Sequence, residues 1–141
     1  MEEGFTPNRL EYVLYDNKKF LSEEPKMKCF CEQQETYKLK VEGDVGADPI
    51  WCNQCGCNFD LDDIPISKEL KRKLSKWATK YGEWIDWDID QIVENGVEIE
   101  EEHNRQGTYL TEKVKIELSG EYKIKFFPSS MGRSYANNKR L

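Results

Sequence analysis

Five cysteines carry the clearest chemistry in this chain: Cys29, Cys31, Cys52, Cys55 and Cys57. Four of them fall into a Cys-x-Cys pair and a Cys-x2-Cys pair, separated by Glu32 to Trp51. Thiolates one or two residues apart can grip one ion from a tight turn. Two such turns close a tetrahedral cage, with sulfur about 2.3 Å from zinc. The ligand set read from this spacing is Cys29, Cys31, Cys52 and Cys55, with Cys57 as the substitute if the first turn is irregular. A four-thiolate cage leaves no open coordination position, so the expected cofactor is one structural zinc and not a catalytic one. Disulfides are the competing use of these residues. The odd count, the paired spacing and the lack of an export signal weigh against them.

The elements that must position the cage are a strand and a turn. Tyr37-Lys38-Leu39-Lys40-Val41-Glu42 alternates as a strand does, Gly43 to Pro49 is turn-rich, and Ile50-Trp51 leads into Cys52. In Cys52-Asn53-Gln54-Cys55-Gly56 the glycine suits a chain that turns back with positive φ. Over residues 27–63 this layout resembles a zinc-ribbon knuckle and hairpin, with two departures: the first pair is Cys-x-Cys, and Cys57 is extra. Taken whole, the chain resembles small zinc-ribbon proteins of bacteria and their phages. That resemblance implies a setting and no assigned activity.

Ahead of the ribbon, Leu10 to Leu21 reads as a hairpin turning at Asp16-Asn17-Lys18. It is either an N-terminal extension or extra strands on the ribbon. After the ribbon, Ser67 can cap a helix running to Tyr81, with Leu70, Leu74, Trp77, Ala78 and Tyr81 on one face and Gly82 as the stop. Ile85 to Ile92 fits both a strand and a helical face. Asn95-Gly96 is a hairpin-type turn before Val97-Glu98-Ile99. A second helix is expected over Thr108 to Leu118, and a strand over Tyr122 to Phe127. The fold class expected is α+β: a small zinc ribbon followed by an amphipathic helix, packed on a small α/β unit. The divisions are 1–26 as the extension, 27–66 as the ribbon, 67–128 as helix plus unit, and 129–141 as a mobile tail.

Two sharper sites are weaker than they look. Asp86, Asp88 and Asp90 have the spacing that opens a calcium loop, but Gln91 stands where glycine is needed and Val97 where a bidentate Glu is needed. A solvated acidic face is the plainer reading. His103, the only histidine, lies in a polar stretch expected to be a loop. A Cys57–His103 dyad would require the two to meet in space. No phosphate loop and no Gly-x-Ser-x-Gly elbow is present.

Charge sets the partner classes. Lys and Arg number 21 against 27 Asp and Glu, a net of -6, which disfavours a nucleic-acid domain. The charge is also segregated. Lys68, Lys71, Arg72, Lys73, Lys76 and Lys80 share the first helix, whereas Glu83 to Glu102 carries nine carboxylates and no Lys or Arg. No run approaches the roughly 18 apolar residues of a membrane span, and the N-terminus lacks a secretory pattern. The expectation is therefore a non-enzymatic, cytoplasmic zinc-binding module that meets a protein partner, with an inhibitor or host-modulating role conceivable. The alternative is a nucleic-acid-binding zinc ribbon acting in transcription or its regulation. An open Lys68–Lys80 face would favour that alternative, and a face covered by the acidic run would favour the first.

Overall fold

Alternation decides the first strand. In a computed structural model that describes residues 27–29, 35–118 and 120–138, Lys38–Glu42 forms β3 with Leu39 and Val41 fully buried on one face. Its neighbours on the other face are charged, and Lys40 pairs with Glu42 at 2.6 Å. Two-residue strands β1 (Met27–Lys28) and β2 (Glu35–Thr36) pair ahead of it. The turn after β3 closes when Glu42 N–H donates to the Pro49 carbonyl, and Ile50–Cys52 returns antiparallel as β4. The hairpin expected between residues 37 and 52 is thus present. The expected hairpin at 10–21 lies outside the described residues.

The decisive strand comes from the other end of the chain. Lys123–Phe127 forms β7 and lies parallel to β3, with Leu39 opposite Ile124 and Val41 opposite Phe126. The sheet order is β4-β3-β7, so β3 is central. A parallel neighbour needs a long crossover, which here contains helices α1 (Lys68–Thr79) and α2 (Gly96–Leu118). One cluster then holds Leu39, Val41 and Ile50 from the hairpin, Leu74 and Trp77 from α1, Val114 and Leu118 from α2, and Ile124 from β7. Each fully buried side chain of this kind contributes about 1.5–3 kcal/mol. This corrects the expected fold class. The hairpin is the centre of a mixed α+β domain with a shared core, not a metal-braced ribbon leaning on a separate α/β unit.

Helix α1 forms where expected. Ser67 caps it by accepting from Leu70 N–H at 3.1 Å, and Gly82 stands beyond its end at φ 89°. The ambiguous 85–92 stretch is a small hairpin of β5 (Ile85–Asp86) and β6 (Gln91–Ile92), with Asp90 in the left-handed region at φ 55°. Helix α2 starts at Gly96, three turns before the expected Thr108, so Val97-Glu98-Ile99 is helical and His103 is not in a loop. Within the segment expected as a mobile tail, Met131–Asn138 forms α3 and packs on α2.

Candidate partner-binding site and cysteine cluster

The first half of α2 buries Gly96, Glu100, His103 and Gly107, on the same face that later buries Leu110, Val114 and Leu118. Close approach explains the glycine at 107. A Cβ there would lie 2.4 Å from the Phe126 ring and 2.8 Å from Trp77. His103 then stacks on Trp77, with ring centroids 4.3 Å apart. Its Nε2–H donates to the Trp77 carbonyl at 3.0 Å, and the Trp77 indole N–H donates back to the His103 carbonyl at 2.8 Å. Nδ1 therefore carries the lone pair, and it has no hydrogen-bond partner among the described residues. Burial pushes the His103 pKa below the usual imidazole value, against opposing pulls from the Trp77 carbonyl, Glu83 and Glu100.

Glu100 is fully buried. Its carboxylate accepts from Ser129 Oγ at 2.6 Å, Gly132 N–H at 2.7 Å and Arg133 N–H at 3.2 Å. A side chain of one helix thus caps the first turn of another, and that contact docks α3. No local pattern marks this use, because Glu100 sits inside a run of like residues.

The opposite face of the same half-helix is exposed and acidic. Glu98, Glu101 and Glu102 stand on it, Glu94 stands in the turn before it, and Glu83, Asp86, Asp88 and Asp90 stand on the β5–β6 hairpin and its approach. Apolar side chains interrupt this field: Trp87 is 54% exposed and Ile89 60% on the hairpin, and Ile99 is exposed on α2. Trp87 is held by an indole bond to the Gly82 carbonyl and an edge contact with Tyr135, whose hydroxyl donates to Asp90 at 2.6 Å. A cleft of about 320 Å³ opens between the end of α1 and the start of α2, lined by Lys80, Glu83, Glu98, Ile99, Glu102 and His103.

The lysine face of α1 stands open. Lys68, Arg72, Lys73, Lys76 and Lys80 are exposed, and the ion pair there, Lys73 with Glu69 at 3.4 Å, is internal to the helix. Among the described residues no ion pair joins it to a carboxylate of 83–102, and only its end meets them, where Lys80 lines a cleft with Glu83, Glu98 and Glu102. A second groove of about 350 Å³ runs along this face past Lys73, Lys76 and Tyr109.

Of the cysteines, the structure brings together Cys29, Cys55 and Cys57, whose sulfurs all lie within 4.8 Å of one another. Cys52 lies outside that trio. It is buried in the core, and its sulfur accepts from Gln54 N–H at 3.4 Å. Gly56 takes the expected positive φ, 83°, and its N–H closes the turn onto the Cys52 carbonyl. Cys31 lies outside the described residues. Three soft thiols at this spacing can chelate a metal ion. The aspartates form no such group among the described residues, and the rings around His103 are Trp77, Tyr81 and Trp84.

Compared with known families, residues 37–129 match the model described as Serratia CdiI immunity protein-like. The chain belongs to this family. The match corrects the zinc-ribbon resemblance, and with it the description of the chain as a zinc-ribbon protein, because it runs through the whole β3-to-β7 crossover and begins after Cys29 and Cys31. No curated protein matches the chain. An immunity protein works by binding another protein, so this is a non-catalytic protein-interaction domain of inhibitory type, and it is not an enzyme. Among the described residues no helix is long and apolar enough to cross a membrane.

Proposed function

We propose that this immunity protein silences a protein toxin by occupying it, and that it docks through the acidic face built from the β5–β6 hairpin and the first half of α2. The observation that carries this reading is the pairing of eight exposed carboxylates with the exposed Trp87 and Ile89. Aromatic anchors supply most of the binding energy at protein interfaces, while a field of one sign steers the partner and excludes wrong ones. The complementary surface is basic, as in a toxin whose cleft holds nucleic acid. The test is a rescue selection. Fragments of the source genome are expressed with and without this protein, and at least one should be tolerated only in its presence. A selection yielding no dependent fragment would overturn the reading.

The open lysine face of α1 favours a second reading, contact with nucleic acid. Binding of that kind weakens steeply with salt. A salt-sensitive, sub-micromolar complex with an oligonucleotide, lost on changing Lys73 and Lys76 to Ala, would promote it over the first.

For the cysteines, the reading is one structural ion, with zinc suited to the soft ligand set, held by Cys29, Cys55 and Cys57 and completed by Cys31 or Cys52. Bonds of about 2.3 Å place the sulfurs of a tetrahedral cage about 3.8 Å apart, inside the spacing of the trio. Such an ion would tie the segment before the family domain to the turn after β4. Reduced thiols fit a cytoplasmic setting.

A further inference from the structure

Helix α2 carries a second pattern on a side it does not bury. Ile99, Glu102, Gln106, Tyr109, Lys113 and Ile116 are all exposed, at intervals of three, four, three, four and three residues. That spacing aligns them in one stripe along the helix, about 26 Å from end to end at 1.5 Å per residue. Ile116, at 73%, is the most exposed large apolar side chain among the described residues, and Tyr109 is 57% exposed. Nothing local calls for isoleucine on the solvent side of a helix, where Lys or Glu is the better helix former. Four of the six, Ile99 to Tyr109, line the two grooves between α2 and α1. The stripe therefore borders a concave seat.

The intervals are the same from either end of the stripe. A second α2 laid antiparallel, about a two-fold axis level with Gly107 and Thr108, thus sets each stripe residue opposite another. Ile99 faces Ile116 of the second copy, Glu102 faces Lys113, and Gln106 faces Tyr109, each match occurring twice. We infer that two copies of this chain pair through α2 in this register, a self-complementary contact with two-fold symmetry. Glu102 already takes donors from Arg105 and Gln106, and a carboxylate has room for a further one. The Lys113 ammonium stands 5.2 Å over the Tyr109 ring, which keeps it on the stripe. A parallel pairing would set Glu102 against Glu102 and Lys113 against Lys113, and like charges so placed repel. The net charge of -6 on each copy opposes association at low ionic strength. At physiological salt, with a screening length of about 8 Å, the contacts of the stripe decide. The pairing stands apart from the immunity reading; where both hold, toxin and second copy compete for Ile99 and Glu102.

The test is sedimentation equilibrium on the full chain, in reducing buffer at physiological salt. One helix stripe makes a small interface, so the loading concentrations run from about 5 µM to about 500 µM. The mass should rise across that range from 16.7 kDa towards twice that value. Ile116→Asp should hold the protein at the monomer mass, with an unchanged circular dichroism melt because that side chain is exposed. Lys113→Glu should weaken pairing roughly tenfold, since two attractive pairs, each worth a factor of a few, become repulsive. Adding Glu102→Lys to Lys113→Glu exchanges the charges and should restore the parent's association to within a factor of about three. No toxin is needed at any step. The inference is overturned by a parent that stays at the monomer mass throughout, by an Ile116→Asp protein that associates as the parent does, or by a charge-exchanged protein that pairs no better than Lys113→Glu alone.

Discussion

Replacing Glu100 with alanine tests whether the acidic run contains one residue of a different kind. In the folded chain its carboxylate accepts from Ser129 Oγ, Gly132 N–H and Arg133 N–H. The Ser129 hydroxyl can rotate toward water and the Arg133 N–H is only part-buried, but the Gly132 N–H is buried with its bond. Leaving one buried donor unmatched costs about 1–3 kcal/mol, and losing a helix cap costs about 1 kcal/mol more. Removing a buried carboxylate returns part of this by ending its desolvation. The net expectation is a loss of about 2–3 kcal/mol, or roughly 5–10 °C in Tm for a domain of this size. Glu101→Ala removes only an exposed 3.9 Å ion pair with Arg133 of α3 and should change stability by less than about 1 kcal/mol. Urea melts give the free energies, and hydrogen exchange at the amides of α3 gives the location. A Glu100→Ala protein that melts within a degree of the parent, with α3 amides equally protected, would refute the reasoning.

Gly107→Ala should destabilise by about 1–2 kcal/mol in urea melts, because overpacking against Phe126 and Trp77 exceeds the roughly 1 kcal/mol that alanine gains over glycine in a helix. A stabilised variant would contradict the close approach. His103 has a folded pKa below its usual value of 6.5, so the unfolded chain binds its proton more readily and stability falls as pH drops from above 6.5 through the folded pKa. Burial and Lys80 lower it while the Trp77 carbonyl, Glu83 and Glu100 oppose them, and Glu98 and Glu102 line the same cleft. The drop in stability between pH 7.5 and pH 5.5 should be smaller in His103→Gln than in the parent, and an equal or larger drop would contradict the assignment. Cys57→Ser should lower bound metal well below one ion per chain, while Cys52→Ser keeps it if Cys31 is the fourth ligand. Metal analysis showing full occupancy in Cys57→Ser would remove that residue from the cage.

What the sequence disclosed followed apolar periodicity. Leu39 and Val41 alternate, and Leu70, Leu74 and Trp77 recur at helical spacing, so β3 and α1 were legible with their caps. The first half of α2 was not. Its buried face is Gly96, Glu100, His103 and Gly107, residues whose burial depends on a stacked tryptophan, a borrowed helix cap and a close ring, none of which has a local signature. Without an apolar stripe, the segment read as a turn, a short strand and a loop. The parallel pairing of β3 with β7 joins residues some eighty positions apart, and local pattern gives a strand without its partner. Cysteine spacing invited a ribbon because turns with Cys pairs look alike whatever sheet they end on. The functional class was partly legible, since segregated charge on a chain lacking catalytic motifs pointed to protein binding. Whether the acidic run covers the lysine face was not legible, because that depends on how α1, α2 and the β5–β6 hairpin pack; the face is exposed, and Lys80 at its end shares a cleft with Glu83, Glu98 and Glu102.

The most direct test of the central claim compares growth of cells expressing a rescue-selected toxin fragment alongside either the parent protein or Glu98→Lys with Glu102→Lys. Both residues are exposed on α2, so the folded state should tolerate the change, as a circular dichroism melt will verify. The parent should restore growth, and the charge-reversed protein should fail to do so at equal abundance. Full protection by the charge-reversed protein would contradict docking through the acidic face.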